Sequence, residues 1–203
     1  MQKQEFEVHL TADFDHYSKT AYRQFKMICT QLGAKPLEIL LERGAYPRQM
    51  MLSKVLHESD LASVLTRIEP WIEEFKQNNI KIIRVKVELP FQHSSLDIPV
   101  IDYYEWHALI EYRDILAIKE LCEVHQIHLS HNALTQHVGY RFLTLRETGS
   151  AKTFLTRLQS IKTELFNQNR VISKERLESC VYDTNIDLDR GWLCPLNKKN
   201  DDE

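Results

Sequence analysis

Polar and apolar residues alternate along EFEVHL, from Glu5 to Leu10. Phe6, Val8 and Leu10 share one face of the implied strand, and Glu5, Glu7 and His9 share the other. The stretch YSKTAYRQFKMICTQLG then reads as a helix that closes at Gly33, a C-cap glycine. PLEILLE and, after the RGAYP turn, RQMMLS read as two strands. Asp60 can cap a helix running to about Asn78, and Pro70 inside it predicts a kink or a split. IKIIRVKVEL is a last strand, with Ile83, Val85, Val87 and Leu89 on one face and Arg84, Lys86 and Glu88 on the other.

The same order then returns: strand 103–111, helix 113–125, strands 127–134 and 139–146, helix 151–168 with Ser150 as cap, and strand 170–178. Landmarks recur in sequence order. Glu7-Val8-His9 matches Glu105-Trp106-His107, Cys29 matches Cys122, LTRI at 65–68 matches LTRL at 155–158, and Asn79 matches Asn169. The chain therefore reads as a duplication. Its expected fold class is α+β, a tandem repeat of a ferredoxin-like βαββαβ unit, each an antiparallel sheet with its helices on one face. The expected boundaries are 1–90 for the first repeat, 91–102 for a linker, 103–180 for the second repeat and 181–203 for a C-terminal extension.

Composition narrows the function. With 203 residues, 43% hydrophobic, the chain can bury a sizeable core. A net charge of -3 argues against a general nucleic-acid binder, as does the scarcity of aromatic residues on the polar strand faces. Five glycines leave no Gly-rich phosphate loop, and no nucleophile elbow or zinc-protease motif occurs. No apolar run nears the roughly 20 residues of a membrane span. The four cysteines are widely spaced and lack a C-x-x-C pair, so they read as reduced and the expected location is cytoplasmic. Cys29 and Cys122, at matching helix positions, read as core residues.

The polar faces carry the candidate chemistry. In the ferredoxin-like plan the first and last strands are neighbours. Glu7 and His9 then lie beside Arg84, Lys86 and Glu88, and Glu105 and His107 lie beside Lys174, Arg176 and Glu178. Such faces can be solvated and stitched by cross-strand ion pairs. Alternatively, the two copies bring them together as a cleft or an incomplete barrel. In that case Glu5, Glu7 and Glu105 are metal candidates for Mg or Mn. Lys86, Arg176, Arg48 and Arg141 are phosphate-gripping candidates, and His9 or His107 is the acid or base. The expected activity is metal-assisted hydrolysis, or plain binding, of a phosphorylated small molecule or nucleotide. The alternative is a non-catalytic interaction module that meets a protein partner or a second copy through an exposed sheet face or edge. His125, His128, His131 and His137 span a helix-to-strand junction and read as a polar edge. Asp183–Gly191 lacks the glycine and glutamate of a calcium loop, and reads as an irregular extension with Trp192 resting on an apolar surface.

Three resemblances accompany this reading. Glu5-Phe6-Glu7-Val8-His9 followed by Leu32-Gly33-Ala34 resembles the start of the CYTH, or triphosphate tunnel, proteins, which open on Glu-x-Glu-x-Lys. That resemblance implies metal binding by Glu5 and Glu7 and phosphate binding by Lys86 and Arg176. His9-Leu10-Thr11 and His128-Leu129-Ser130 are similar to the paired motifs of two-histidine phosphoesterases, although the repeat alignment sets His9 against His107. Tyr46–Gln49, His128–Leu134 and Tyr182–Trp192 resemble stretches of an uncharacterised bacterial protein family, which implies a bacterial origin.

Overall fold

The computed structural model describes residues 3–13, 18–91, 100–135 and 139–191. Its strands are β1 (Gln4–Asp13), β2 (Lys35–Leu41), β3 (Arg48–Glu58), β4 (Lys81–Pro90), β5 (Tyr103–Glu111), β6 (His128–Asn132), β7 (Tyr140–Glu147) and β8 (Ile172–Asp183). The helices are α1 (Lys19–Gln31), α2 (Leu61–Gln77), α3 (Ile115–His125) and α4 (Ala151–Asn167). A short 3-10 turn, Ile186–Asp189, follows β8.

Local chemistry sets the helix ends. Ser18, Asp60, Asp114 and Ser150 each accept a backbone N–H three residues on, satisfying one orphan donor of the first turn. All four helices close on a left-handed residue: Gly33, Asn79, Gln126 and Asn169. The next N–H then returns to a carbonyl five residues back, as from Ala34 to Cys29 and from Ile80 to Phe75. The matched asparagines of the repeat are thus helix terminators, tolerated at positive φ because a short polar side chain strains least there. Pro70 does not split α2, which runs unbroken from Leu61 to Gln77. The ring sits on the exposed side of the helix, where water can serve the carbonyl that loses its donor.

The sheet overturns the expectation of two open ferredoxin-like layers. All pairings are antiparallel, and the strands form one closed barrel in the order β1-β3-β2-β6-β7-β5-β8-β4, with β4 returning to β1. β2 joins β6 at one seam and β4 joins β8 at the other. The helices do not cover one side of an open sheet; they pack around the outside of the ring. The reason is edge chemistry. Each half alone would end in strands with unpaired N–H and C=O groups, and joining the halves at both ends satisfies them.

The apolar core is double and lies outside the ring. Phe6, Val8 and Leu10 of β1 pack against Phe25 of α1 and Ile68 and Phe75 of α2. In the second half Trp106, Ala108 and Ile110 of β5 pack with Ile118 of α3 and Phe154 and Leu158 of α4. Each buried aromatic or branched aliphatic side chain contributes about 1.5–3 kcal/mol. Cys29 and Cys122 are buried in matching places, and burial pushes both thiols up to about 12, so they are packing residues. Residues 92–99 of the expected linker, together with His137 and Trp192, lie outside the described residues; flanking Phe91 and Ile101 pack on the second and first cores.

The opposite strand faces turn into the ring. Past Glu178, where the last strand was expected to end, β8 continues to Asp183, and the 3-10 turn folds across one end of the barrel. Asp189 on that turn is buried against Arg84 (2.9 Å) and Arg146 (2.7 Å), and Gln49 Nε2 donates to the Leu188 carbonyl at 3.3 Å. Removing one partner of a buried ion pair strands the others. Asp189→Ala is therefore expected to cost about 3–5 kcal/mol in urea unfolding, whereas Glu123→Ala, in the exposed Arg43–Glu123 pair, leaves the midpoint nearly unmoved.

Candidate functional site

The pairing register shows what fills the ring. Glu5, Glu7, His9 and Thr11 of β1 lie opposite His57, Val55, Ser53 and Met51 of β3. On the other side Glu7 and His9 face Glu88 and Lys86 of β4. Glu105 of β5 sits between Arg146 and Glu178, and His107 between Thr144 and Arg176. Cross-strand partners share a face, and the neighbouring positions belong to the outer cores, so all of these point inward.

The interior is a cup with a closed floor and a wetter rim. At the floor, Arg84 holds Asp183 through two donors at 3.0 and 2.6 Å, and Tyr103 donates to the same carboxylate at 2.6 Å. The Arg146 guanidinium stacks 4.0 Å over the Tyr103 ring. In the middle, Lys86 Nζ lies 2.5 Å from Glu105 and 2.7 Å from Glu88, while Arg146 Nε donates to the other Glu105 oxygen at 2.8 Å. His9 Nε2 is 3.0 Å from Glu88. Toward the rim, Arg176 pairs with Glu7, Glu5 and Glu178. Side-chain exposure rises from 1% at Glu88 and 2% at Glu105 to 29% at His107, 43% at Glu5 and 45% at Arg176. Away from this charged wall, Leu37, Ile39, Met51, Leu109 and Phe142 face the interior by register.

Burial and charge compete at each group. Burial opposes the charged form of Glu105, but Lys86 and Arg146 outweigh it and hold the carboxyl well below its usual range. Glu88 is brought down to about 2, its burial overcome chiefly by Lys86 and the His9 hydrogen bond. Burial disfavours the Lys86 ammonium, yet Glu105 and Glu88 keep it protonated. His107 is raised because Glu105 and Glu178 outweigh its desolvation. Glu178 is pushed up to about 7, first by burial and then by the charge of Glu88. The cup thus keeps a protonatable carboxyl beside a readily protonated imidazole, at 3.7 Å.

Of the residues singled out in the sequence, Glu5, Glu7, His9, Lys86, Glu105, His107 and Arg176 meet inside the ring. Arg48 and Arg141 do not. Arg48 pairs with Glu38 on the outer face near α1, and Arg141 stacks at 4.4 Å on the Tyr112 ring, again outside. Phosphate binding by these four cations is not supported. Two point away from the cup, and Lys86 and Arg176 are already held by carboxylates. The reading missed Arg146, Asp183 and Asp189; alternation along RFLTLRE could have supplied Arg146. Among the described residues, His125, His128 and His131 belong to no metal-ready cluster, and His128 is drawn down to about 4 by burial and by Arg43, 3.1 Å from its Nδ1. Among the described residues no helix is long and apolar enough to cross a membrane.

No protein-family model and no curated protein matches the sequence. The CYTH resemblance of the N-terminal stretch is accordingly not upheld. Solved structures align over most of the chain but loosely. A putative monooxygenase from Fusobacterium nucleatum is 9% identical over 88% of this chain and 91% of its own, with a TM-score of 0.33. A chlorite dismutase from Candidatus Nitrospira defluvii is 11% identical over 89% and 92%, at 0.31. The acetolactate synthase small subunit of Thermotoga maritima is 11% identical over 90% and 96%, at 0.28. Likeness at this level assigns neither family nor activity.

Linkage gives the pH dependence. A carboxyl raised from 4.5 to about 7 in the folded state binds a proton that the unfolded chain has lost, so its contribution to stability falls as pH rises through that window. His128, lowered from 6.5 to about 4, acts in the opposite direction over pH 4–6.5. The Glu178→Gln variant isolates the first effect. Relative to the wild type it should gain roughly 2.5 kcal/mol in urea-unfolding free energy between pH 5 and pH 8; parallel pH curves would show an ordinary carboxyl.

Proposed function

We propose that the barrel interior is a binding cup for a small cation, admitted at the rim where Glu5, His107 and Arg176 reach solvent. The observation that carries this reading is the charge inside the ring. Glu7, Glu88, Glu105, Glu178, Asp183 and Asp189 face four permanent cations, Arg84, Lys86, Arg146 and Arg176. Carboxyls outnumber permanent cations by two, a margin that is full at alkaline pH and narrows toward neutrality as Glu178, raised to about 7, and the raised His107 take up protons. Buried charge is costly unless it is matched, so an interior lining with surplus carboxylate favours an incoming positive charge over an incoming anion. Half-buried Leu37, Ile39, Met51 and Phe142 on the opposite wall give the apolar part of an organic cation a place to lie. The free-edge alternative has less to stand on, because every strand of the ring has two neighbours.

A thermal-shift series tests the reading. Divalent metals, alkylammonium and guanidinium compounds should raise the melting temperature; a ligand at 100 times its dissociation constant adds about 2.7 kcal/mol. Phosphate, pyrophosphate and acetate should not. Val55→Trp, which places a large ring at the rim opposite Glu7 without removing a charge, should abolish the shifts. Stabilisation by the anions and not by the cations would overturn the reading.

A further inference from the structure

Lys86 is the only lysine drawn into the middle of the cup among the described residues, and its ammonium sits where two carboxylates and an imidazole converge. Glu88, Glu105 and His107 each offer one ligand atom, and these atoms lie within 4.8 Å of one another. That spacing and the oxygen–oxygen–nitrogen donor set suit a divalent first-row transition ion. The surroundings hold the donors in place. Thr144 Oγ1 lies 3.0 Å from His107 Nδ1, leaving Nε2 turned toward Glu105 at 3.3 Å. Arg146 fixes the far oxygen of Glu105 at 2.8 Å. Outer partners of this kind orient metal ligands and fix the imidazole tautomer.

A second observation concerns the directed bonding of Glu88. Glu88 is 1% exposed, and its Oε1 accepts no hydrogen bond; Lys86 Nζ stands 2.7 Å away, an ion contact without hydrogen-bond geometry. A buried carboxylate oxygen normally takes one or more directed donors. Coordination to a metal would satisfy it.

We propose that Glu88, Glu105 and His107 form a divalent metal site in which the Lys86 ammonium is the resident cation, displaced toward the rim when metal enters. The proposal deepens the reading of the cup as a cation site and rests on it. Lys86 is an internal competitor. It neutralises the two carboxylates in the metal-free protein, and it makes binding weaker than the donor set alone would give. The unusual consequence is that deleting this buried lysine strengthens ligand binding.

The experiment is calorimetric titration of Mn(II) into the chelator-stripped full-length chain, with pulsed electron paramagnetic resonance on the bound ion. The wild type should take one Mn(II) per chain and show coupling to an imidazole nitrogen. Lys86→Met should bind at least tenfold tighter. His107→Ala should lose the nitrogen coupling, and Glu105→Gln should weaken binding at least tenfold while both variants keep the wild-type far-ultraviolet circular dichroism. Lys86→Met that folds but binds no metal would overturn the proposal. So would Mn(II) binding that His107→Ala and Glu105→Gln leave unchanged. Organic cations that still raise the melting temperature in a Val55→Trp-sensitive way would then leave the cup reading standing without the metal. Loss of those shifts too would remove both.

Discussion

The barrel depends on the chain of ion pairs that runs across its interior, Asp183–Arg84–Asp189–Arg146–Glu105–Lys86–Glu88. Most small domains fill such a space with aliphatic side chains. Here most of the apolar mass lies outside the ring, between strands and helices, and ion pairs occupy one wall of the interior. Isolated buried ions carry penalties of several kcal/mol, so no member of the chain is tolerable alone. Each is acceptable because neighbours on its own strand, on nearby strands or on the 3-10 turn supply the opposite charge. This makes the register of β1, β4, β5 and β8 far more specific than apolar packing would, since a one-residue slip would turn every charge into the outer cores.

Much of the secondary structure was readable because strands and helices announce themselves locally. Alternation in EFEVHL and KIIRVKVEL, the caps Asp60 and Ser150, and the terminators Gly33, Asn79 and Asn169 are all short-range signals. Closure was not readable. It depends on β2 meeting β6 and β4 meeting β8, pairings between residues far apart in the chain, and neither alternation nor composition records which edge a strand will meet. The open ferredoxin-like layers of the sequence reading failed at those two seams.

The candidate site was legible in the same uneven way. Glu7, His9, Glu105 and His107 stood out because the repeat copied them, and Lys86 and Arg176 because they alternate with core residues. Arg48 and Arg141 were included by analogy of position after a turn, but the strand parity at Arg48 follows Met50, an outer-core residue, and not Gln49. Asp189 was passed over because its stretch fails the calcium-loop pattern and was read as an irregular extension; the folding of the 3-10 turn over Arg84 and Arg146 gives that aspartate its role.

The same turn gives the barrel a direction. Read around the ring, the strand order is unchanged when each strand is exchanged for its counterpart in the other repeat, an exchange that turns the barrel end over end. By that pseudo-symmetry the two openings are equivalent. They are not equivalent in the chain. After β4 the polypeptide crosses to β5, whereas after β8 it turns through Ile186–Asp189 over one opening. A duplicated chain therefore acquires a top and a bottom from the order in which it is connected, before any difference between the two copies is needed.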